Sequence, residues 1–146
     1  MKVFSHALGE CGVSFFAAPK LAARLKNGFP QSLHRAPSLL PTEHTAMRRN
    51  LDRWFNSLGI EPVIVGEFDD SALTKVFGSD GFGFFAVPSI IAAEIAHRYS
   101  VEAIGAASDC TERFYAISIE RKIKHPAIIA ITRTSLSVPS GTGAKA

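Results

Sequence analysis

Gly81–Pro88 reads GFGFFAVP, and Gly12–Pro19 reads GVSFFAAP. Both follow G-x-x-F-F-A-x-P, and each runs on into a segment able to form a helix, KLAARLK after the first and SIIAAEIAHRY after the second. Three readings compete: a repeated catalytic element, a phosphate-cradling loop, or a repeated piece of architecture. A phosphate loop needs a strand before its glycines and a helix directly after them, so that free amides converge on the anion. Counted from Gly78, the glycines spell G-x-x-G-x-G, but the order is reversed: a short helix over residues 70–78 comes first and a strand follows. No G-K-[S/T] follows either. The stretch therefore reads as architecture. Gly78 is expected to be a left-handed helix stop, and Gly81 and Gly83 the turn into a buried strand. Pro88 closes that strand, since proline cannot donate to a ladder, and opens a helix through about Tyr99.

The same logic extends along the chain. Residues 2–8, KVFSHAL, suit a short strand, GEC a turn, and GVSFFAA a buried strand that Pro19 ends. A helix over KLAARLK stops at Asn27-Gly28, and a short strand spans Ser38–Leu40. Residues 45–58 give the clearest helix: Met47, Leu51, Trp54, Phe55 and Leu58 make one apolar stripe. Arg48, Arg49, Asp52 and Arg53 are placed on its solvent face, Thr45 or Thr42 caps its start, and Gly59 ends it. PVIVGEF is a strand, and Asp69-Asp70-Ser71 offers capping oxygens to the short helix after it. VEAIG and RFYAISIER read as two further strands, and His125-Pro126 opens a last helix. Residues 137–146 are expected to be a disordered tail. Strands alternating with helices predict an α/β fold with right-handed crossovers and a largely parallel, helix-covered sheet. Ligands of such sheets sit at the carboxyl ends of strands, beside helix N-termini.

Bulk properties bound the function. The chain has 146 residues and a net charge of +3, with its basic residues in short clusters rather than along one face. That suits solvated surfaces better than a phosphate track. Two cysteines without a C-x-x-C pair suggest neither a zinc site nor a redox motif and fit a cytoplasmic location. No signal-like leader is evident, and the most apolar stretch, Phe82–Ala93, is shorter than the ~20 residues that span a bilayer.

The chemistry available is sparse. The five histidines show no ligand spacing, no serine sits in G-x-S-x-G, and no catalytic residue, metal site or cofactor is expected. Two places remain. Glu67, Asp69 and Asp70 form the densest acidic group, at a strand end, where capping and polar-ligand roles compete. PTEHTAMRR runs from a strand end into the strongest helix, so Thr42, Glu43, His44 and Thr45 either cap or line a small-molecule pocket, or divide the two tasks.

Residues 15–91 resemble the effector-binding domain of LysR-type transcriptional regulators, and the resemblance extends over nearly the whole chain except the tail. The strand ending in Ala-Pro, SLLPTEHTAMRRNLDRWFNSLGI, PVIVGEF and the Gly-x-Gly strand with its proline carry the likeness. LDRWFNSLGI, IVGEFDDSALTKVFG and RFYAISIERKIKHPAIIAIT are similar to the branch that activates sodium/proton antiporter genes. The resemblance implies a fold like type 2 periplasmic binding proteins, here one complete lobe plus a partial second lobe. Residues 1–22 would belong to the partial first lobe, 23–100 to the second lobe, and 101–136 to the return. It implies ligand-binding positions at Thr42, Glu43, His44, Thr45, Phe68 and Asp69, and lobe crossings at Ala18, Pro19, Glu102 and Ala103. It also implies a small-molecule or ion effector, sodium among the candidates, and a homo-oligomer in the full-length regulator. DNA would be bound only through a winged helix-turn-helix that this chain lacks, as a fragment truncated at its N-terminus. The strands missing from the partial lobe would leave apolar surface exposed around Phe4, Phe15 and Ile117. A stand-alone solute-binding module is the alternative; an α/β enzyme has no assembled nucleophile, base and oxyanion site to support it.

Overall fold

The computed structural model describes the backbone of residues 4–118 and the side chains of residues 12–111. In order these residues form β1 (Phe4–Ala17), α1 (Pro19–Lys26), β2 (Pro37–Pro41), α2 (Ala46–Leu58) and β3 (Val63–Phe68). Then come α3 (Ser71–Ser79), β4 (Phe85–Pro88), α4 (Ala92–Tyr99) and β5 (Glu102–Ser118). The helix expected from His125 and the tail lie outside the described residues.

The two F-F stretches are neighbours in space. β1 and β4 pair antiparallel, Phe15 opposite Ala86 and Phe16 opposite Phe85. Because side chains alternate across a strand, each pair of phenylalanines sends one ring to each face of the sheet. Phe15 and Phe84 join the core that contains α1 and α2 residues, with ring centroids 5.9 Å apart. Phe16 and Phe85 stack at 6.2 Å in the core on the other face, with Leu39, Val87, Ile95 and Val101. The repetition is thus one strand pair building both layers, and both strands do hand over to helical turns at Pro19 and Pro88.

β5 pairs with β1 on its other side, also antiparallel, while β2 and β3 pair parallel. A parallel bridge between Ser38 and Phe84 joins the two sheets. Leu39 donates to the Phe84 carbonyl at 2.8 Å, and Phe84 to that of Pro37 at 2.9 Å. The strand order is therefore β3-β2-β4-β1-β5. The sheet is mixed, not largely parallel: alternation reports that a strand is buried, not the direction of its neighbour. Two further expectations are corrected. GEC is not a turn, because β1 runs unbroken from Phe4 to Ala17, with register shifts at Ala7/Gly9 and Cys11/Val13. VEAIG and RFYAIS belong to one strand, β5, within which Ser108–Thr111 is looped out of the pairing between Ala107 and Glu112.

α2 follows its sequence pattern. Leu51, Trp54 and Phe55 are buried, Thr45 accepts the Arg48 amide at 3.1 Å, and Gly59 ends the helix in the left-handed conformation. Burying three large side chains contributes roughly 5–9 kcal/mol, several times the ~1 kcal/mol of the cap, so packing holds this helix. Phe15 of β1 lies in the core that α2 packs against, fully buried and touching Phe29, Trp54, Phe55 and Phe84. The expected exposed surface at Phe15 is therefore wrong, and the side chains of Phe4 and Ile117 lie outside those described. Leu21, Ala22 and Leu25 of α1 share this same core. Trp54 Nε1 donates to Asp109 at 3.0 Å, and Asn50 to the Thr111 carbonyl at 2.9 Å, fixing α2 to the looped-out part of β5.

Gly78 does not stop α3. The helix continues to Ser79, and the left-handed residue is Gly81, at φ +90°. Gly78 is required for another reason: a methyl group there would overlap the Phe85 ring.

Candidate functional site

β2, β3 and β4 converge with their carboxyl ends toward the N-termini of α2 and α3. Between them lies a cavity of about 190 Å³ lined by residues of all five elements. Its floor is apolar: Leu39 and Pro41 from β2, Met47 from α2, Phe68 from β3, Phe85 and Val87 from β4. Polar groups stand above it: Thr45 of the helix start, Asp69, and Ser71, Thr74 and Lys75 of α3.

The loop between β2 and α2 is tightly organised. The Thr42 amide donates to the Phe68 carbonyl at 3.1 Å, and its hydroxyl to Asp69 Oδ1 at 2.8 Å. The Thr45 hydroxyl donates to the Thr42 carbonyl at 2.9 Å while accepting the Arg48 amide. The Asp pair divides its tasks: Asp70 caps α3 by accepting the Ala72 amide at 2.8 Å, leaving Asp69 at the pocket.

Of the expected ligand-binding positions, the structure brings Thr45, Phe68 and Asp69 to the cavity, and Thr42 directly behind Asp69. Glu43 and His44 are exposed and do not line it. The four expected crossing positions are adjacent: Ala18 and Pro19 start α1, and Glu102 and Ala103 start β5 opposite Ala17 and Phe16. Sequence reading missed Ser71, Thr74 and Lys75. Their i, i+3, i+4 spacing was the available signal, since it puts the polar stripe of α3 inward and leaves Leu73, Val76 and Phe77 outside, each more than a third exposed. Lys75 makes no ion pair among the described residues.

Arg48 is the largest surprise. Expected on the solvent face, it is 6% exposed. Nη1 donates to the Pro41 carbonyl at 2.9 Å and to Glu67 at 2.6 Å, and Nε to Asp52 at 3.1 Å. Burial opposes its charge, but hydrogen bonds to Glu67 and Asp52 more than offset this and hold its pKa above the ordinary value. Among the described residues, no three His, Cys, Asp or Glu side chains gather to hold a metal ion.

This geometry suits reversible binding of a small molecule: an apolar floor, hydroxyls, the Asp69 carboxylate and the Lys75 ammonium, which has no ion pair among the described residues, at two helix N-termini. Comparison with known proteins agrees. The model of the LysR substrate binding domain matches residues 2–134. The transcriptional activator protein NhaR of Escherichia coli (strain K12) is 37% identical over 135 residues, 92% of this chain and 44% of the relative. The chain thus spans less than half the length of that curated relative. The CcmR regulatory domain of Synechocystis PCC6803, solved in complex with 2-PG, superposes with a TM-score of 0.61 at 10% identity, over 94% of this chain and 69% of that one. The effector domain of AmpR from Pseudomonas aeruginosa gives 0.59 at 17%, over 88% and 61%. At such identities these two structures speak for the fold alone, the mixed α/β arrangement of type 2 periplasmic binding proteins.

Proposed function

We propose, from the premise that this chain belongs to the family of LysR substrate-binding domains, that it senses an effector in the cavity at the ends of β2, β3 and β4. The whole regulator of which it corresponds to a part would be a DNA-binding transcriptional activator, with sodium/proton antiporter expression as its target by similarity to NhaR. On this reading the domain is non-enzymatic, cytoplasmic and needs no cofactor. No helix among the described residues is long and apolar enough to cross a membrane.

The observation that carries the reading is Lys75, which has no ion pair among the described residues and stands above an apolar floor. An ammonium and two helix N-termini against the single Asp69 carboxylate, itself held by Thr42, favour an anionic head group. Leu39, Met47, Phe68, Phe85 and Val87 favour an apolar body. A small organic acid fits this set, and sodium is the second candidate. Calorimetric titration of the 146-residue chain with benzoate and, separately, with sodium chloride distinguishes them. The reading expects heat with benzoate that Lys75→Met reduces roughly tenfold or more in affinity. Heat with sodium alone, unaffected by Lys75→Met, would reassign the effector. No heat with either would remove the support for this cavity as the sensing site.

Self-association is the second part of the reading. Among the described residues β3 is an edge strand whose Val63, Ile64 and Val65 are 45–51% exposed, a template for pairing with another copy.

A further inference from the structure

Arg48 does not line the pocket, yet it grips the ends of two of the strands that do. Pro41, whose carbonyl it holds, ends β2 and opens the loop that carries Thr42 and Thr45. Glu67, which it also holds, precedes Phe68 and Asp69 at the end of β3. These two strand ends are also tied by the parallel pairing of Leu40 with Glu67 and Pro41 with Phe68. Past it, the Thr42 amide donates to the Phe68 carbonyl and the Thr42 hydroxyl to Asp69. All of these are short-range ties between β2 and β3 that do not reach α2. The guanidinium is itself tied to α2 by its hydrogen bond to Asp52, one turn on.

We infer that Arg48 is the positioning residue of the effector pocket: it sets the separation of the two strand ends and couples it to helix α2. The planar fork matters here, because two acceptors on different strands and a third on the helix must be met at once. A lysine at this position has one ammonium and cannot span them.

A purely stabilising role is the competing explanation, and exposure argues against it. The side chains of Glu67 and Asp52 are 42% and 49% exposed, so water can hydrate both if Arg48 is lost. With both carboxylates wet, the loss of Arg48 strands no buried charge, and the pairs' own share of stability is smaller than that of a fully buried pair. What no water restores is the geometry, a carbonyl at one strand end and a carboxylate at the next gripped by one rigid group. The consequence for binding rests on the proposed pocket; the consequence for geometry does not.

The test uses Arg48→Met, Arg48→Lys, Glu67→Ala and Asp52→Ala in the 146-residue chain, read by amide hydrogen exchange without ligand and by benzoate titration. Arg48→Met and Glu67→Ala are expected to speed exchange of the Thr42 amide by roughly tenfold or more, with the Phe16 and Leu25 amides unchanged. Asp52→Ala, which leaves both strand ends gripped, should leave Thr42 unchanged, and Arg48→Lys should fall between. Benzoate affinity should follow the same order. Uniform acceleration across Thr42, Phe16 and Leu25 would show a structural role only and overturn the inference. So would an Asp52→Ala effect equal to that of Glu67→Ala. If the parent chain binds no benzoate, the pocket reading fails, while the Thr42 exchange still decides the role of Arg48.

Discussion

Replacing Gly78 by alanine sets two opposed effects against each other. In an open helix the change would stabilise α3 by about 1 kcal/mol, because glycine is the poorer helix former. Here the added methyl would fall on Cδ1 and Cε1 of Phe85, with Cγ 3.4 Å away. Phe85 is fully buried and stacked on Phe16, so its ring has no vacant space behind it except the pocket it lines. Overpacking of this kind costs about 1–3 kcal/mol. The net expectation is a loss of up to about 2 kcal/mol in urea unfolding. A second effect is functional: relief by rotation of Phe85 shrinks the cavity, so benzoate affinity falls even where the variant remains folded. A variant more stable than the parent by about 1 kcal/mol, with unchanged binding, would refute the placement of Phe85 against α3.

Other expectations are simpler. Phe15→Ala, at the centre of the aromatic core, should cost about 3–5 kcal/mol in urea unfolding; a cost near zero would mean that the site is not packed as described. Thr45→Ala removes the α2 cap and should cost about 1 kcal/mol, with faster exchange of the Arg48 amide. Gly59→Ala meets open space, and its φ of +69° imposes the left-handed penalty, roughly 1–2 kcal/mol. Val65→Lys should lower the mass seen by light scattering if β3 is the self-association edge, and leave it unchanged if it is not.

Much of this was legible because it depends on local chemistry. The α2 stripe, its threonine cap and its glycine stop are set within one helix, and the structure repeats them. The paired phenylalanines announced buried strands, and the strand-to-helix junctions at residue 41 and residue 69 pointed to the right end of the sheet for a pocket. What was not legible depends on partners distant in the chain. Nothing in GVSFFAAP says that GFGFFAVP is its antiparallel neighbour. Gly78 resembled a helix stop, yet the reason for a glycine is an aromatic ring seven residues on. Arg48 sat beside Arg49 and was read as solvated with it, whereas its acceptors include Pro41 and Glu67. α3 was read only as a short helix with capping oxygens at its start, but its polar stripe faces the cavity, so Lys75 was passed over while Glu43 and His44, which do not line that cavity, were included.

Backbone amide shifts of the labelled 146-residue chain, followed through a titration with benzoate, test the central claim most directly. The account predicts the largest changes at Thr42, Thr45, Phe68, Asp69, Ser71 and Lys75, with β1 and α1 silent. Changes centred instead on the hollow between Asn50, Trp54 and Asp109, or no changes at all, would contradict the assignment of sensing to the ends of β2, β3 and β4.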